Sequence, residues 1–557
     1  MAQGSPRPAK QLQHRKGPSY SQRQDRYDRL RIDDEATKSY IKRILCAPKA
    51  DPASTTETAD SDGRSPESLE QLLPPLSSSN EVDVQLYALI AVVLDLFVQA
   101  WYNRITPDHD FVASIVQIIA HCTRALEQRL RYVDLESLVL DELPELLSDH
   151  VNAVRIAQDS QSIDPTISEV RLKYHALRPH AAVTPCPVNP EAISAQQESE
   201  VAWCLLLVNR VLSLLLPPED LQNPCLEVLV SEVLAELIFH NGILGKACEP
   251  WLLWDSIAKL LRAQRPVAVA VTQISTSSYD AAHKRGMLDV KAAANTGHDL
   301  SFSQWRPMAV THAFWTIVQA IVTVSLLLRS FAIALMHAAK IPQRPQRTTH
   351  ISGRFAAAKR YAGQEPSKAP VLDYSDTARP LVSMCIWRCI STLLMLEKRM
   401  PWLSGMFSLL LWMVLHGPGQ VCRANSRLDR LLSSNVRTRL LSANWIPSAL
   451  QAARSALFPE NVLAPARVPP KDHEVLVIKR ECAMAIIDAV PGIVRDRFFA
   501  TNDVDLMIED VECELDLLGD SYLNKHLIVR VVELIVARLF PELADHSGEA
   551  IMEVVAQ

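Results

Sequence analysis

Glycine is scarce in this chain, with 15 residues among 557. That disfavours turn-rich β architecture, whose tight turns need positive φ, and it disfavours glycine-rich phosphate loops. The eleven cysteines show no disulfide or zinc framework. Cys385 and Cys389 sit four apart and share a helix face, but no second pair or histidine set accompanies them. Buried reduced thiols are expected, which suits a cytosolic setting. A net charge of −6 lacks the basic footprint of a nucleic-acid binder. No Gly-x-Ser-x-Gly elbow, His-Glu-x-x-His pair or Walker-type loop occurs, so no catalytic residue, cofactor or metal is expected. The first apolar run begins only near Leu86, so no secretory signal is expected either.

What the chain has is leucine-rich helical pattern. Hydrophobic residues make up 48% against 22% charged, a globular balance, and the length exceeds what one core supports. The fold class expected is all-α. The 35 prolines gather in a tail and in connectors. From Arg7 to Lys49 basic residues outnumber acids, and the stretch onward to Asn80 is acidic and rich in Ser, Thr and Pro. Residues 1–80 therefore read as a disordered tail, whose basic arm could also be drawn to anionic lipid.

From Phe97 to His150 the pattern gives a helix, a corner and a second amphipathic helix. Thr106 and Pro107 suit an N-cap and first turn. The apolar stripe expected is Phe111, Ile115, Ile118, Ile119, Cys122, Leu126 and Leu130, with Arg124, Glu127 and Arg131 opposite. Asp108-His109-Asp110 reads as a cap, because neighbouring helical residues point about 100° apart and cannot close on one ion. Pro165 to Ser199 reads as a low-order insert, and Pro179 argues against His175 and His180 sharing a helical face. Ala309–His337 is the most apolar stretch, followed by a basic loop with Arg344, Arg347, Arg354, Lys359, Arg360 and Lys368. It is long enough to span a bilayer, while His312, Gln319 and Arg329 favour a helix buried all round between two domains. Trp402–Leu415 is too short to span and reads as a core helix stopped at Gly417. The closing helix should bury Leu527, Val531, Leu534, Ile535 and Leu539, with Asn524 as its N-cap.

Particular words in this pattern resemble the PX-associated (PXA) domain of a branch of the sorting nexins and their fungal relatives. They include Trp101, Tyr102, Pro107, Arg124, Arg129 and Asp134, then the Arg-Pro-His element at Pro179 and His180, the Leu-Leu-Pro element at Pro217, and Glu232. Asn524, Lys525 and His526, with Phe540 and Pro541, are similar to the end of the nexin C-terminal domain. The resemblance implies a PXA domain over 82–261, a linker over 262–305, the very apolar helix over 306–340 and a basic linker over 341–375. A nexin-C-like domain over 376–545 and a tail over 546–557 would follow. The two helical modules should pack together, without a PX or RGS domain between them, as in the compact fungal form.

In the family the two modules are thought to enclose an apolar cavity. The resemblance thus implies a non-enzymatic protein of endosomal or vacuolar sorting that binds or transfers lipid. It would sit on the cytoplasmic face of endosomal, vacuolar or ER membranes, peripherally rather than integrally. Its partners would be phospholipid or phosphoinositide and sorting proteins. Trp315, Ile317, Ile321, Val324 and Leu328, with Leu409 and Trp412 opposite, are the expected cavity lining. A helical scaffold without a cavity, or a protein anchored by 309–337, are the alternatives.

Overall fold

The computed structural model describes residues 35–46, 69–106, 110–159, 167–262, 305–341, 379–417, 424–458, 461 and 469–544. Every regular element among them is helical, as the composition indicates. The main helices are α1 (35–45), α2 (Asn80–Leu94), α3 (Asp110–Tyr132), α4 (Leu143–Gln158), α5 (Ile167–Leu177) and α6 (Pro190–Leu215). There follow α7 (Pro224–Glu232, continued by π-helical turns over Val233–Ala247), α8 (250–262), α9 (Trp305–Ala338), α10 (Ile386–Leu393), α11 (Pro401–His416) and α12 (Arg427–Arg439). The last are α13 (Ile446–Leu457), α14 (Asp472–Ala489), α15 (Gly492–Phe498), α16 (Val504–Leu515) and α17 (Ser521–Leu539). Side-chain caps set several starts. Asn223 accepts from the Cys225 and Leu226 amides at 3.2 and 3.4 Å, with Pro224 opening α7, and Asp520 accepts from the Tyr522 amide at 3.0 Å. Both satisfy amides that lack a partner inside the helix.

The chain forms two compact units. The first comprises residues 1–128, 215–219 and 443–468, and the second 129–214, 220–442 and 469–557. These limits cut across the expected domains 82–261 and 376–545. The first unit is centred on Ile41, Leu45, Leu76, Tyr87, Ala91, Val112 and Val116, and α13 packs against α2. Within the stretch 1–80 read as a disordered tail, residues 35–46 and 69–80 are folded. Tyr40, Ile41, Ile44 and Leu45 make a one-sided apolar stripe inside the basic run. Asp83 fixes the later segment, accepting from the Leu76 and Ser77 amides at 3.0 and 2.7 Å.

In the second unit, helices on either side of the apolar α9 in sequence share cores. Trp254 and Ala258 of α8 pack with Cys482, Ala483 and Ile487 of α14 and Met507, Ile508 and Val511 of α16. Val151, Val154 and Ala157 of α4 pack with Tyr174 of α5, Leu517, and Tyr522 and Leu523 of α17. Leu140 joins Leu381 and Met384. Burial pushes the thiols of Cys204 and Cys248 up to about 12, so both stay protonated and inert at neutral pH.

Several local expectations need correction. Pro165–Ser199 is not a low-order insert, because α5 and the start of α6 are regular helices there; their polar outer faces hid the pattern. The buried stripe of α3 is Val112, Val116 and Ala120, displaced from the predicted one, and Leu130 is exposed. In α17 the buried residues are Tyr522, Leu523, Asn524, His526 and Val529, so Asn524 lies inside the helix and Asp520 is the cap. The stripe was misplaced because this face packs through polar and aromatic groups. Pro107, Asp108, His109 and the basic loop from Arg344 to Lys368 lie outside the described residues.

The two most apolar helices are not core. From Phe314 to Ile333 nearly every residue of α9 is exposed, although α9 packs against α12 and Ala338 is buried. In α11 no residue is buried. It does end at Gly417 as expected, where an added Cβ would lie 2.1 Å from the Met413 carbonyl oxygen.

Candidate functional site

The motif residues from the two parts of the sequence meet within the second unit. Arg129 of α3 lies over the Phe540 ring at 4.7 Å, and its guanidinium reaches the Glu542 carboxylate at 3.0 Å and the Leu539 carbonyl at 3.3 Å. Phe540 is buried. His180 lies 3.0 Å from Glu533, to which the Trp203 indole also donates at 3.2 Å. Lys525 donates to both oxygens of the buried Glu200 at 2.8 and 3.1 Å. Asn524 donates to the Cys248 and Leu518 carbonyls at 3.0 and 2.9 Å. The Arg-Leu and Phe-Pro-Glu words are thus partners, while the Arg-Pro-His and Leu-Asn-Lys-His words pair with Glu533 and Glu200 across the same two parts of the sequence.

The remaining motif residues have local roles. Asp134 caps the short helix Leu135–Ser137, Tyr102 stacks on Phe111 at 4.9 Å, and Arg124 donates to the Ala120 carbonyl. Pro179 and Glu232 are exposed, and Pro217 and Pro541 are half-buried. The side chain of Trp101 lies outside the described set. Phe540→Ala should cost about 3–5 kcal/mol, the usual range for truncating a buried phenylalanine. Chemical denaturation monitored by circular dichroism would read it, and a loss under 1 kcal/mol would contradict the packing.

Beside this interface lies a cluster of rings that pattern reading did not find. His526 of α17 is fully buried, with Tyr522 at 4.8 Å, Tyr174 at 5.0 Å and His175 at 5.8 Å between ring centroids. His150 shares a 2.8 Å hydrogen bond with the Tyr174 hydroxyl, as His175 does with Tyr522. The Tyr522 hydroxyl donates to the Val183 carbonyl at 3.1 Å. Neither ring nitrogen of His526 has a hydrogen-bond partner among the described residues. Burial, helped by Arg530, holds His150 down to about 4, and burial, helped by the neighbouring His175, His180 and His150 and then Arg530, holds His526 down to about 3. All of these imidazoles are neutral at pH 7. Among the described residues no group of three or more His, Cys, Asp or Glu is placed to hold a metal.

His150 also lines a cavity of about 430 Å³. Its walls are Leu147, His150 and Val151 of α4, Leu393 and Leu394 at the end of α10, and Ile486 and Val490 at the end of α14. Val494, Phe498 and Phe499 from α15, Val511 and Leu515 from α16, and Leu517 and Leu518 close it. Almost all of this surface is carbon. One corner is charged: Arg399 pairs with both oxygens of Asp510 and lies 3.6 Å from Glu514. Arg155 bonds Glu514 at 2.8 Å and the Thr392 carbonyl at 2.7 Å. Two guanidinium and two carboxylate groups leave that corner without net charge.

None of the expected lining residues lies here. Trp315, Ile317, Ile321, Val324 and Leu328 of α9, and Leu409 and Trp412 of α11, are all more than half exposed. The prediction took the most apolar helices as the cavity wall. The wall is built instead from moderately apolar helices whose other faces are needed for packing.

The comparisons bear on the front of this arrangement. Residues 79–260 match the family model of the PXA domain. The chain carries a PXA domain. It supplies α4 and the three cavity residues on it, and Arg129, His180 and Glu200 of the motif contacts. The chain is similar to PXA domain protein 1 of Schizosaccharomyces pombe (strain 972 / ATCC 24843), at 27% identity over 191 residues. That match covers 34% of this chain and 36% of that protein. It is also similar to sorting nexin-14 of Danio rerio, at 23% identity over 164 residues, 29% of this chain and 16% of that protein. The matched part thus spans well under half the length of either relative. No solved structure matches the chain.

Proposed function

We propose that this PXA-domain protein acts in membrane sorting and trafficking by holding the acyl part of a lipid in the cavity between α4 and the C-terminal helices. The observation that carries this reading is the carbon-lined space walled by α4 from the PXA domain and by α10 and α14–α16 from the C-terminal part. Its volume of about 430 Å³ falls in the range of small-molecule pockets, roughly 300–1,000 Å³. Each buried methylene of a lipid chain contributes about 0.8 kcal/mol, so partial burial of one chain is enough for retention. The C-terminal helices are proposed to correspond to the nexin C-terminal module. The chain is taken to be non-enzymatic and to work on the cytoplasmic face of endosomal, vacuolar or ER membranes, with phospholipid as partner.

The exposed α9 supports the alternative in which this helix enters the membrane. Its Phe314–Ala338 portion is long and apolar enough to cross a membrane, and at 1.5 Å per residue it covers the roughly 30 Å of a hydrocarbon core. Apart from its packing on α12 and the buried Ala338, α9 is exposed and suits burial in lipid, while a single crossing would part α8 from α14 and α16, so insertion from one face is proposed. Pro224–Ala247 meets the same length and composition test, but it carries Glu227, Glu232 and Glu236 and buries Ser231, Ala235 and Leu244, which suits packing on protein. In alkaline carbonate the chain should stay in the membrane pellet, and Leu326→Asp/Leu327→Asp should release it. Release of the unaltered chain would rule out insertion of α9.

The cavity is tested by photo-crosslinking. Cells expressing the full chain would be fed a diazirine-bearing fatty acid, and the crosslinked peptides mapped. Crosslinks are expected on 143–158, 486–499 and 504–518, and should be lost on filling the space with Leu394→Trp and Val490→Trp. Crosslinks confined to α9, or unchanged by filling, would overturn the reading and leave a helical scaffold.

A further inference from the structure

We infer that α11 is a membrane-docking helix that lies in the plane of an anionic bilayer and seats the mouth of the cavity on it. This rests on the lipid-holding reading above and adds the route by which the lipid enters.

The placement comes first. Leu393, Leu394 and Arg399 line the cavity, and α11 begins at Pro401, two residues past Arg399. Between them Met395 takes a left-handed conformation, φ 46°, and turns the chain out of α10. The helix is therefore tied to the rim, and a surface that takes up α11 brings the opening with it.

The choice of occupant follows from chemistry and length. The sixteen residues of α11 extend about 24 Å, too short to cross a hydrocarbon core of about 30 Å. Residues 405–410 are all exposed in succession, with Trp402, Trp412 and Met413, and only a stripe of Leu403, Ser404, Leu411, Val414 and Leu415 is half-buried, so apolar surface faces outward over most of the helix. A folded protein partner would cover one stripe and leave the others wet. A bilayer takes up all exposed faces of a helix sunk beneath the headgroups, polar backbone being satisfied within the helix itself. Trp402 and Trp412, both more than 60% exposed, stand at the two ends, and indole rings favour the headgroup level.

Charge selects the kind of membrane. The sequence contains no acidic residue between Glu397 and Asp429, while Lys398, Arg423 and Arg427 flank the helix. Lys398 and Arg427 are exposed. Cationic flanks on an uncharged apolar helix complement a leaflet with anionic lipid.

The test uses the full chain reconstituted in vesicles of phosphatidylcholine with or without phosphatidylserine. Brominated acyl chains quench indoles that enter the bilayer. The unaltered chain should lose more fluorescence than Trp402→Phe/Trp412→Phe, and the difference should grow with phosphatidylserine. No difference between the two overturns the inference, whatever the state of the cavity. The second readout is the rate at which cavity peptides are labelled by a photoactivatable phospholipid presented in those vesicles. Leu409→Asp/Met413→Asp, at exposed positions, should slow loading about tenfold or more, since a charge sunk in the interface opposes docking, and should reach the same final labelling. An unchanged rate overturns the inference. Absence of cavity labelling in every chain, with the quenching difference intact, would instead sink the lipid-holding reading and keep α11 as a membrane contact.

Discussion

Lys525→Met is expected to destabilise the second unit by about 3–5 kcal/mol, the range for leaving one member of a buried ion pair alone. Glu200 is completely buried and takes both its strong contacts from Lys525, at 2.8 and 3.1 Å, with Gln196 also donating to it. His240 stands 3.6 Å away. Removing the carboxylate together with the ammonium, as Glu200→Leu/Lys525→Met, should restore most of the stability, because no buried charge then remains. Urea unfolding of the two variants separates the cases. Equal destabilisation by the single and the double variant would show that the pair's charge is not the issue.

The second large effect is acid lability. His150 and His526 are neutral in the folded chain, held down to about 4 and about 3, while in the unfolded chain they protonate near 6.5. Below pH 6.5 the unfolded state therefore binds more protons, and stability falls as pH falls. The contribution is complete above pH 6.5 and is lost progressively toward pH 4. At about 1.4 kcal/mol per pH unit for each group, lowering the pH from 7 to 5 should cost about 2 kcal/mol per histidine, roughly 4 together. His175, also lowered by burial, acts in the same direction. His526→Leu should flatten this slope and leave stability at pH 7 equal or higher, since its ring nitrogens lack partners among the described residues. A stability curve flat between pH 7 and 5 would contradict the buried, neutral cluster.

Helix content and the PXA assignment were legible because they rest on local signals: few glycines, periodic leucines and short words at set spacings. Those words also marked the interface between the PXA domain and the C-terminal helices, as Arg129 with Phe540 and His180 with Glu533 show. The residues expected to line a cavity lie outside the one described, for a physical reason. Apolarity in sequence is proportional to what a helix avoids, namely water, and does not say whether protein or lipid replaces it. Trp315 and Trp412 are apolar yet mostly exposed among the described residues, whereas Val151, Val494 and Leu515 build the wall from helices of ordinary composition. Leu45 and Ile41 were missed because a short stripe inside a basic run resembles a solvated tail. The His526 cluster needed three dimensions, since its members come from positions 150, 174, 175, 522 and 526.

The central claim is that the cavity walled by α4, α10 and α14–α16 holds lipid. Native mass spectrometry of the full chain, extracted from its own membranes in mild detergent, tests it most directly. The expected result is a species heavier than the bare chain by one phospholipid, retained at collision energies that strip detergent and absent from Leu394→Trp/Val490→Trp. A bare chain as the only species, or equal lipid retention by the filled variant, would contradict the claim.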